Sequence, residues 1–303
     1  MNTIRKTVLA LAVTAVLGGC GGNAEPAGKS ASPPSKSAAT AQEKRRQFES
    51  AKADCMKQRG FKYIAYVPQE DPDTDEARKR KAGDYEALRA QRAKYGFGVF
   101  SLYVHPKGSD APDGMPDLSG ADPNGKIWTK LSPAQNKSYW KTVGDCVVVA
   151  AKQALGKKVS SEMDLYEQAE AVSNRAVERE IDGDAELVKL ASSMATCLTG
   201  KGYKVSDTRP SQLSQRGRLA FLDQEDEVGR KQREDVPDVP SPPKKGEVKR
   251  SFGATLTPAQ AQPYLAKEVK AALDDLECGK DFYRVYTPKS EAIYQKVDQE
   301  FGS

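Results

Sequence analysis

The chain has 303 residues, of which 38% are hydrophobic and 29% are charged, and its formal net charge at pH 7 is +5. This length allows one domain or two, and the hydrophobic content is modest but sufficient for a core. So small an excess of positive charge gives no reason to expect binding to nucleic acid. The single histidine excludes a zinc site built from several histidines.

The chain begins with a segment that has the organisation of a secretory signal peptide. Arg5 and Lys6 precede an apolar run over residues 7–17, which is too short to span a bilayer. The run ends in LGGC, whose last residue is Cys20 and which resembles a bacterial lipobox. In lipoproteins of that type the cysteine carries a diacylglyceryl group and becomes the new N-terminus. We therefore expect a signal peptide at 1–19 and lipidation of Cys20, and the alternative is an ordinary secretory signal with an incidental cysteine.

Residues 20–40 are rich in Ala, Ser, Pro and Gly and contain few bulky apolar side chains. Such a composition cannot bury a core, so we expect a lipidated flexible tether. No later apolar run reaches the roughly eighteen residues that a membrane-spanning helix needs. Nothing after Cys20 is therefore expected to cross a membrane.

Residues 41–182 are expected to form the first of two related helical units. Apolar residues at helical spacing predict a helix over 41–59, and Gly60 is placed to end it. The other expected elements are short strands at 61–68 and 97–104, helices at 74–95, 132–156 and 161–180, and a long loop at 105–130. The helix that begins at Ser132 is expected to bury Trp140, Val143, Val147 and Ala151.

Residues 183–303 are expected to form the second unit. Its predicted elements are helices at about 187–198, 211–234, 257–278 and 289–301, with a Pro-rich linker before the third. The resulting fold class is mainly α with a few short β-strands, in two tandem related units that are each held by a disulfide. Strands and helices do not alternate regularly, which argues against a doubly wound sheet.

Two phrases of the sequence occur once in each unit. CMKQRGFKY begins at Cys55 and CLTGKGYKV begins at Cys197. LSPAQ begins at Leu131 and LTPAQ at Leu256, and each has the form of a helix capping box with Ser or Thr at the N-cap, Pro at N1 and Gln at N3. Each capping box is followed by a further cysteine. A tandem duplication is the simplest account of this pattern.

Four cysteines remain once Cys20 is assigned to the lipid, and they are Cys55, Cys146, Cys197 and Cys278. An even number of cysteines in an exported protein favours disulfides. If each unit contains its own bond, the pairs are Cys55–Cys146 and Cys197–Cys278. Cross-pairing between the units is the alternative.

No residue pattern singles out a catalytic site. His105 precedes a proline in a loop, and no G-x-S-x-G surrounds any serine. Ser138 and Lys141 match the S-x-x-K pattern of penicillin-interacting enzymes, but the companion motifs are missing. The acidic residues of 110–122 lack the order of a calcium-binding loop. We therefore expect no catalytic residue, no metal and no cofactor.

The lipobox, the tether, CMKQRGFKY and YGFGV at 95–99 together resemble uncharacterised lipoproteins and secreted proteins of actinobacteria. The resemblance implies a location and disulfides but no activity. We expect a lipid-anchored protein on the outer, extracytoplasmic face of the cell membrane, with a binding or scaffolding role. Its expected partners are the membrane, through the lipid, and a cell-wall polymer or a membrane protein, but no nucleic acid. The alternatives are a cell-wall hydrolase that uses unidentified carboxylates and a ligand-binding subunit of a transporter.

Overall fold

The structure is a computed structural model, which describes residues 36–68, 74–105, 122–236 and 251–302. These residues form eleven α-helices and no strand, so the fold is mainly helical. The predicted signal peptide and Cys20 lie outside the described residues. The helices are α1 (Lys36–Gln58), α2 (Asp75–Lys81), α3 (Tyr85–Tyr95), α4 (Ser101–Val104), α5 (Gly125–Trp128), α6 (Pro133–Leu155), α7 (Glu162–Val177), α8 (Ala185–Gly200), α9 (Pro210–Lys231), α10 (Pro258–Cys278) and α11 (Lys280–Phe301).

The two predicted capping boxes are both present. The Ser132 hydroxyl accepts a hydrogen bond from the backbone N–H of Gln135. The side-chain oxygen of Gln135 accepts one from the backbone N–H of Ser132 at 3.0 Å. Thr257 and Gln260 make the same reciprocal pair at the start of α10. Each box satisfies backbone donors that have no partner inside the helix, which fixes where α6 and α10 begin.

Residues 61–68, which were expected to be a strand, have no regular secondary structure. The backbone of Ile64 pairs with a side chain in place of a second strand. Asn124 accepts from the Ile64 amide at 2.8 Å and donates to the Ile64 carbonyl at 2.9 Å. Asn124 is buried and also donates to Asp122, so its amide is held in place. The predicted strand is wrong because one side chain supplies the hydrogen bonds that a neighbouring strand would have made.

Residues 97–104, the other predicted strand, form a turn followed by α4. The cause is Glu268 on α10, whose side chain is buried. Its carboxylate accepts from the amides of Phe97 and Val99 at Oε1 and of Phe100 at Oε2, each at 2.8 Å. The prediction of a strand is wrong because these donors converge on one carboxylate and cannot join a ladder.

Other helix bounds also differ from the predictions, and α5 lies within the segment 105–130 that was predicted to be a loop. The segment 74–95 is divided into α2 and α3, and α1 begins inside the segment predicted as tether. The last helix begins at Lys280, so Pro288 lies within it. A proline inside a helix costs about 3 kcal/mol. Burial of Phe282, Tyr283 and Ile293 on the same helix offsets this cost, which the sequence pattern around the proline did not indicate.

The described residues belong to one compact unit. α1 packs along α6, and α3 and α4 pack on α10. The largest core cluster combines α8, α10 and α11 with residues from α3, α7 and α9. Helices from both predicted units therefore share a core, while the division at 182 and 183 stays a prediction.

α1 and α6 run antiparallel, which fixes the two ends of this helix pair. At one end Gly302 lies beside both Arg45 and Leu155. At the other end Cys55 is joined to Cys146. The length of α1 is about 35 Å at 1.5 Å per residue. The start of α1 and the end that carries the disulfide are thus far apart on the molecule.

Candidate binding surface

The four cysteines predicted to form disulfides do so in the predicted pairs. Cys55 is joined to Cys146, which links α1 to α6, with Cα atoms 5.6 Å apart. Cys197 is joined to Cys278, which links α8 to α10, with Cα atoms 5.5 Å apart. The prediction of one bond within each half of the chain is confirmed, and cross-pairing is excluded.

The first repeated phrase forms the turn that ends α1. The amide of Gly60 donates to the carbonyl of Lys57, and the amide of Phe61 donates to the carbonyl of Met56, both at 3.0 Å. Gly60 has a φ of +83°, which a residue with a side chain rarely adopts. This pair of hydrogen bonds is a Schellman motif, in which the residue after the glycine packs back on the last turn. Phe61 does so in the cluster that contains Met56 and Cys55.

The second phrase forms the same turn at the end of α8. The amide of Gly202 donates to the carbonyl of Thr199 at 2.9 Å, and the amide of Tyr203 donates to the carbonyl of Leu198 at 3.0 Å. Tyr203 packs against the cluster that contains Leu198. The cysteine, the glycine and the aromatic residue that the two phrases have in common are therefore those that the disulfide and the Schellman motif require.

An ion pair also occurs at the same place beside each disulfide. Arg59 lies four residues after Cys55, and its guanidinium donates to the carboxylate of Asp145 at 2.8 Å. Lys201 lies four residues after the corresponding cysteine, and its ammonium donates to Glu277 at 2.6 Å. Each acidic partner immediately precedes the second cysteine of its bond.

A buried polar network connects α3, α9, α10 and α11. The carboxylate of Asp275 is fully buried and accepts from Arg92 at 2.7 Å and from the Tyr283 hydroxyl at 2.6 Å. Arg216 contacts its other oxygen at 3.4 Å. Burial lowers the pKa of Arg92, but Tyr283 and Asp275 raise it by more, so Arg92 stays charged. Burial, and then the Asp275 carboxylate, raise the pKa of Tyr283. The described partners of the Asp275 carboxylate are all protein side chains and the carboxylate is inaccessible, so we assign the network to the core.

The Glu268 carboxylate has a similar structural role. Burial raises the pKa of Glu268, although the amides of Val99, Phe100 and Phe97 oppose this shift by donating to the charged form. Since the carboxylate is inaccessible and is occupied by backbone donors, we assign it to holding the turn at residues 96–100.

The two tryptophans of the chain form a surface at the disulfide end of α1 and α6. The Trp128 and Trp140 ring centroids are 5.9 Å apart, with the planes tilted by 57°. Trp140 is 51% exposed. Behind it, Tyr139 makes an edge contact with Trp140 at 5.5 Å and packs at right angles to Phe61. We call the surface formed by Trp128 and Trp140 the Trp surface.

The position of Trp140 corrects the sequence-based expectation. Trp140 was expected in the core, but Tyr139 takes that place and is only 1% exposed. The buried stripe of α6 runs through Tyr139, Val143, Cys146 and Ala150, which is also a helical spacing. Position 140 lies next to this stripe, and contact between α1 and α6 decides which aromatic ring is covered. The sequence pattern therefore did not predict the Trp surface, although the two tryptophans lie only twelve positions apart.

The other residues considered for chemistry are not brought together. His105 is half-buried with its ring against Tyr95, and most of the acidic segment 110–122 lies outside the described residues. Lys141 pairs with Asp145 at 3.1 Å, on the exposed side of α6. In the described part of the chain, no three His, Cys, Asp or Glu side chains are grouped so that they could hold a metal ion. Nor is any helix there long and apolar enough to span a membrane.

No protein-family model, no curated protein and no solved structure matches this chain. The arrangement of the described residues therefore has to be interpreted from its own chemistry. It contains buried polar groups that serve the fold, among them Glu268 and Asp275, and an exposed surface in which two tryptophan rings contact each other.

Proposed function

We propose that the protein is anchored by a lipid on Cys20 to the outer face of the cell membrane and binds another component of the envelope there. The observation that carries this proposal is the pairing of all four remaining cysteines in long-range disulfides. Such bonds form in oxidising compartments and are rare where thiols are kept reduced. The signal-peptide organisation of residues 1–19 and the lipobox that ends at Cys20 support the same location.

The binding role is supported by the position of the Trp surface. A chain anchored through Cys20 would enter the described unit at Lys36, the start of α1, which precedes Arg45 and the end of the helix pair where Gly302 lies. Trp140 lies towards the other end of the α1–α6 pair, six residues before Cys146. The start of α1 and the exposed aromatic rings lie towards opposite ends of the α1–α6 pair, which suits a protein that reaches from the membrane towards a wall polymer or another protein.

We also propose that the two halves, 41–182 and 183–303, arose by tandem duplication. Four features support this proposal because they recur in the same order around each disulfide. These are the Schellman motif, the basic residue just before its glycine, the capping box that opens the second helix, and the acidic residue before the second cysteine. The sequence between these features has diverged, and only the first half contains tryptophan.

Metabolic labelling tests the anchor. The full chain would be expressed in a bacterium that processes lipoproteins, in medium that contains a palmitate analogue with an alkyne group. We expect the protein to incorporate the label, to fractionate with membranes and to begin at Cys20 by mass spectrometry. The Cys20→Ala variant should lose the label, whereas Ser30→Ala, also in the predicted tether, should keep it.

Two results would contradict the proposed anchor. The first is a wild-type chain that remains unlabelled and starts at Met1, which would mean that it is not exported as a lipoprotein. The second is labelling that persists in Cys20→Ala, which would place the lipid on another residue.

A further inference from the structure

We propose that the Trp surface binds an anionic glycan, with a sugar ring stacked on the exposed face of Trp140. The C–H groups on one face of a pyranose ring carry positive partial charge, and the face of an indole ring is negative. An aromatic ring that is half exposed can therefore hold a sugar without being buried in a core. The choice of a wall glycan as the occupant rests on the proposed function, whereas the stacking site itself does not.

The two tryptophans are held in a fixed arrangement. α6 is fixed at its start by the capping box and is joined to α1 by Cys146, and Trp140 lies between these two points. Trp128 is held because the Asn136 side chain donates to its carbonyl at 3.1 Å. A rigid aromatic side chain loses little conformational entropy when a ligand binds. This arrangement suits binding better than a tryptophan on a loose segment would.

Gly144 keeps the surface beside Trp140 uncovered. It lies four residues after Trp140 on α6, and a Cβ placed on it would meet nothing within 4 Å. Glycine inside a helix is unfavourable relative to alanine, and here no close packing requires it. Side chains on a helix lean towards its N-terminus, so a side chain at position 144 would extend over the turn that carries Trp140. The absence of a side chain leaves that turn open.

The charges around the tryptophans indicate which glycan fits. Residues 126–144 contain four lysines and no acidic residue, in a chain whose positive and negative charges otherwise nearly balance. The lysines are Lys126, Lys130, Lys137 and Lys141. Lys137 lies one turn before Trp140 on the same helix. Lys141 already pairs with Asp145. An anionic glycan with carboxylate or phosphate groups on its sugars would therefore pair with the other three lysines while one of its rings stacks on Trp140.

The polar surroundings favour a glycan over a protein partner. Protein-binding patches are usually contiguous apolar areas of several hundred Å². On α6, the exposed residues beside Trp140 are Lys137, Ser138 and Lys141, which are polar or charged. A single aromatic face bordered by hydrogen-bonding side chains matches the size of one or two sugar rings.

Tryptophan fluorescence gives a direct test, because both tryptophans of the chain belong to the Trp surface. The full chain, in a zwitterionic detergent that carries no sugar, would be titrated with soluble peptidoglycan strands and with neutral chitin oligosaccharides. We expect saturable changes with both, with tighter binding of the anionic strands that weakens as salt is raised. No saturable change with either probe would overturn the proposal.

Two variants separate the site from general charge attraction. Trp140→Ala should bind the anionic strands about tenfold more weakly or worse, measured by calorimetry. Tyr166→Ala removes an even more exposed aromatic side chain from α7 and should bind like the parent. Equal binding by Trp140→Ala and the parent would overturn the proposal. An equal loss in Tyr166→Ala would do the same, since it would show binding without a defined site.

Gly144 offers a test that does not remove an aromatic ring. Gly144→Leu should retain or raise the unfolding midpoint, because leucine favours helix more than glycine does, yet it should weaken glycan binding. Gly144→Ala, with a side chain too short to cover the ring, should bind within twofold of the parent. If Gly144→Leu binds normally, the uncovered turn has no role and the proposed geometry is wrong.

Failure of the glycan site can be told apart from failure of the anchor. Lipid labelling of Cys20 does not depend on Trp140, and glycan binding by the purified chain does not depend on the lipid. A labelled protein that binds neither probe would keep the envelope location and overturn the glycan. If Trp140→Ala instead abolished a cross-link to a protein on intact cells while glycan binding was unchanged, the surface would bind a protein and the proposal would be wrong.

Discussion

Gly96 lies so close to Glu268 that a Cβ placed on Gly96 would stand 2.7 Å from the Cγ atom of the glutamate. The backbone of Gly96 has a φ of +63°, which turns the chain so that the following amides face the carboxylate. The end of α3 can therefore approach the middle of α10 closely because Gly96 has no side chain. The buried carboxylate of Glu268 on α10 accepts hydrogen bonds from the backbone that follows this glycine.

We expect Gly96→Ala to be among the most destabilising single-methyl changes in this chain. With φ +63° and ψ −130°, Gly96 has a backbone conformation that costs a residue with a Cβ about 1–3 kcal/mol, and here the methyl group would also collide with Glu268. Gly202→Ala is the matched control, because it has a similar φ of +86° but open space around the Cβ. Urea unfolding should show a loss of about 1 kcal/mol for Gly202→Ala and about 3 kcal/mol or more for Gly96→Ala. Equal losses would mean that the turn can move away from Glu268.

Glu268→Gln should lower the free energy of unfolding by about 2–4 kcal/mol. The amide oxygen of glutamine can still accept from Phe97 and Val99, but its NH₂ group would face the amide of Phe100. Glu277→Gln removes a carboxylate from the exposed side of the same helix and serves as the control. The measurement is urea denaturation of both variants at pH 7. A Glu268→Gln variant as stable as Glu277→Gln would show that the three amides find other acceptors.

Two ion pairs of nearly equal length should differ greatly in importance. The Arg92–Asp275 distance is 2.7 Å and Asp275 is fully buried, whereas the Arg59–Asp145 distance is 2.8 Å and both side chains are 43% exposed. Asp275→Asn should cost about 3–5 kcal/mol, because it leaves buried arginine without a counter-charge. Asp145→Asn should change thermal stability little, since water screens the exposed pair. Comparable shifts in the melting temperature of the two variants would contradict the assignment of Asp275 to the core.

Asp274 should make the protein sensitive to acid. Hydrogen bonds from Lys270, Tyr203 and Lys201 hold the pKa of Asp274 well below its ordinary value. A carboxyl group with a lowered pKa contributes its full stabilisation above its unfolded-state pKa of about 4 and loses it as the pH falls towards the folded-state value. The difference in melting temperature between the parent and Asp274→Asn should therefore be constant from pH 7 to about 5 and shrink as the pH is lowered further.

A control for this acid effect is Glu227→Gln, which removes an exposed partner of Lys231. Its difference from the parent should be small at every pH. If the gap between the parent and Asp274→Asn stayed constant down to pH 2, the lowered pKa of Asp274 would be refuted.

Removal of either disulfide should lower the free energy of unfolding by a large and similar amount. The bonds close loops of 91 and 81 residues, for which the chain-entropy model gives about 4–5 kcal/mol each. The double variants Cys55→Ser with Cys146→Ser, and Cys197→Ser with Cys278→Ser, should both unfold at clearly lower urea concentration than the parent. If the free energy of unfolding fell by less than about 1 kcal/mol in either double variant, residual structure would already restrict the unfolded chain near that bond.

Local sequence rules were sufficient where the interacting residues are close in the chain. The Ser132–Gln135 and Thr257–Gln260 capping boxes and the glycine turn after Cys55 involve residues within six positions of each other, so a short phrase specifies them. The disulfide pairing also required the inference that the repeated phrases mark two related units. Each unit then contains both cysteines of its own bond.

The same rules failed where a distant residue decides the structure. The aromatic and β-branched residues of 97–104 are typical of a strand, but the Glu268 carboxylate, far along the chain, accepts hydrogen bonds from the backbone amides of this segment. Trp140 and Tyr139 are adjacent and both aromatic, so no local pattern could say which one α1 would cover. The candidate binding surface was missed for this reason, because exposure is a property of the packed helices and not of the sequence around Trp140.

The positions of the two disulfides also affect how the chain would respond to a peptidase. Cys55–Cys146 and Cys197–Cys278 turn most of the sequence between residues 55 and 278 into two closed covalent loops that do not overlap. A single cut within either loop leaves all pieces attached, so the molecule would keep its mass until a reductant is added. Between the two loops, a cut in the stretch from 147 to 196 would break the covalent connection between the halves, which would then be held together by their shared core alone. That stretch is the one place where a single cut would leave two fragments of comparable size with no covalent bond between them.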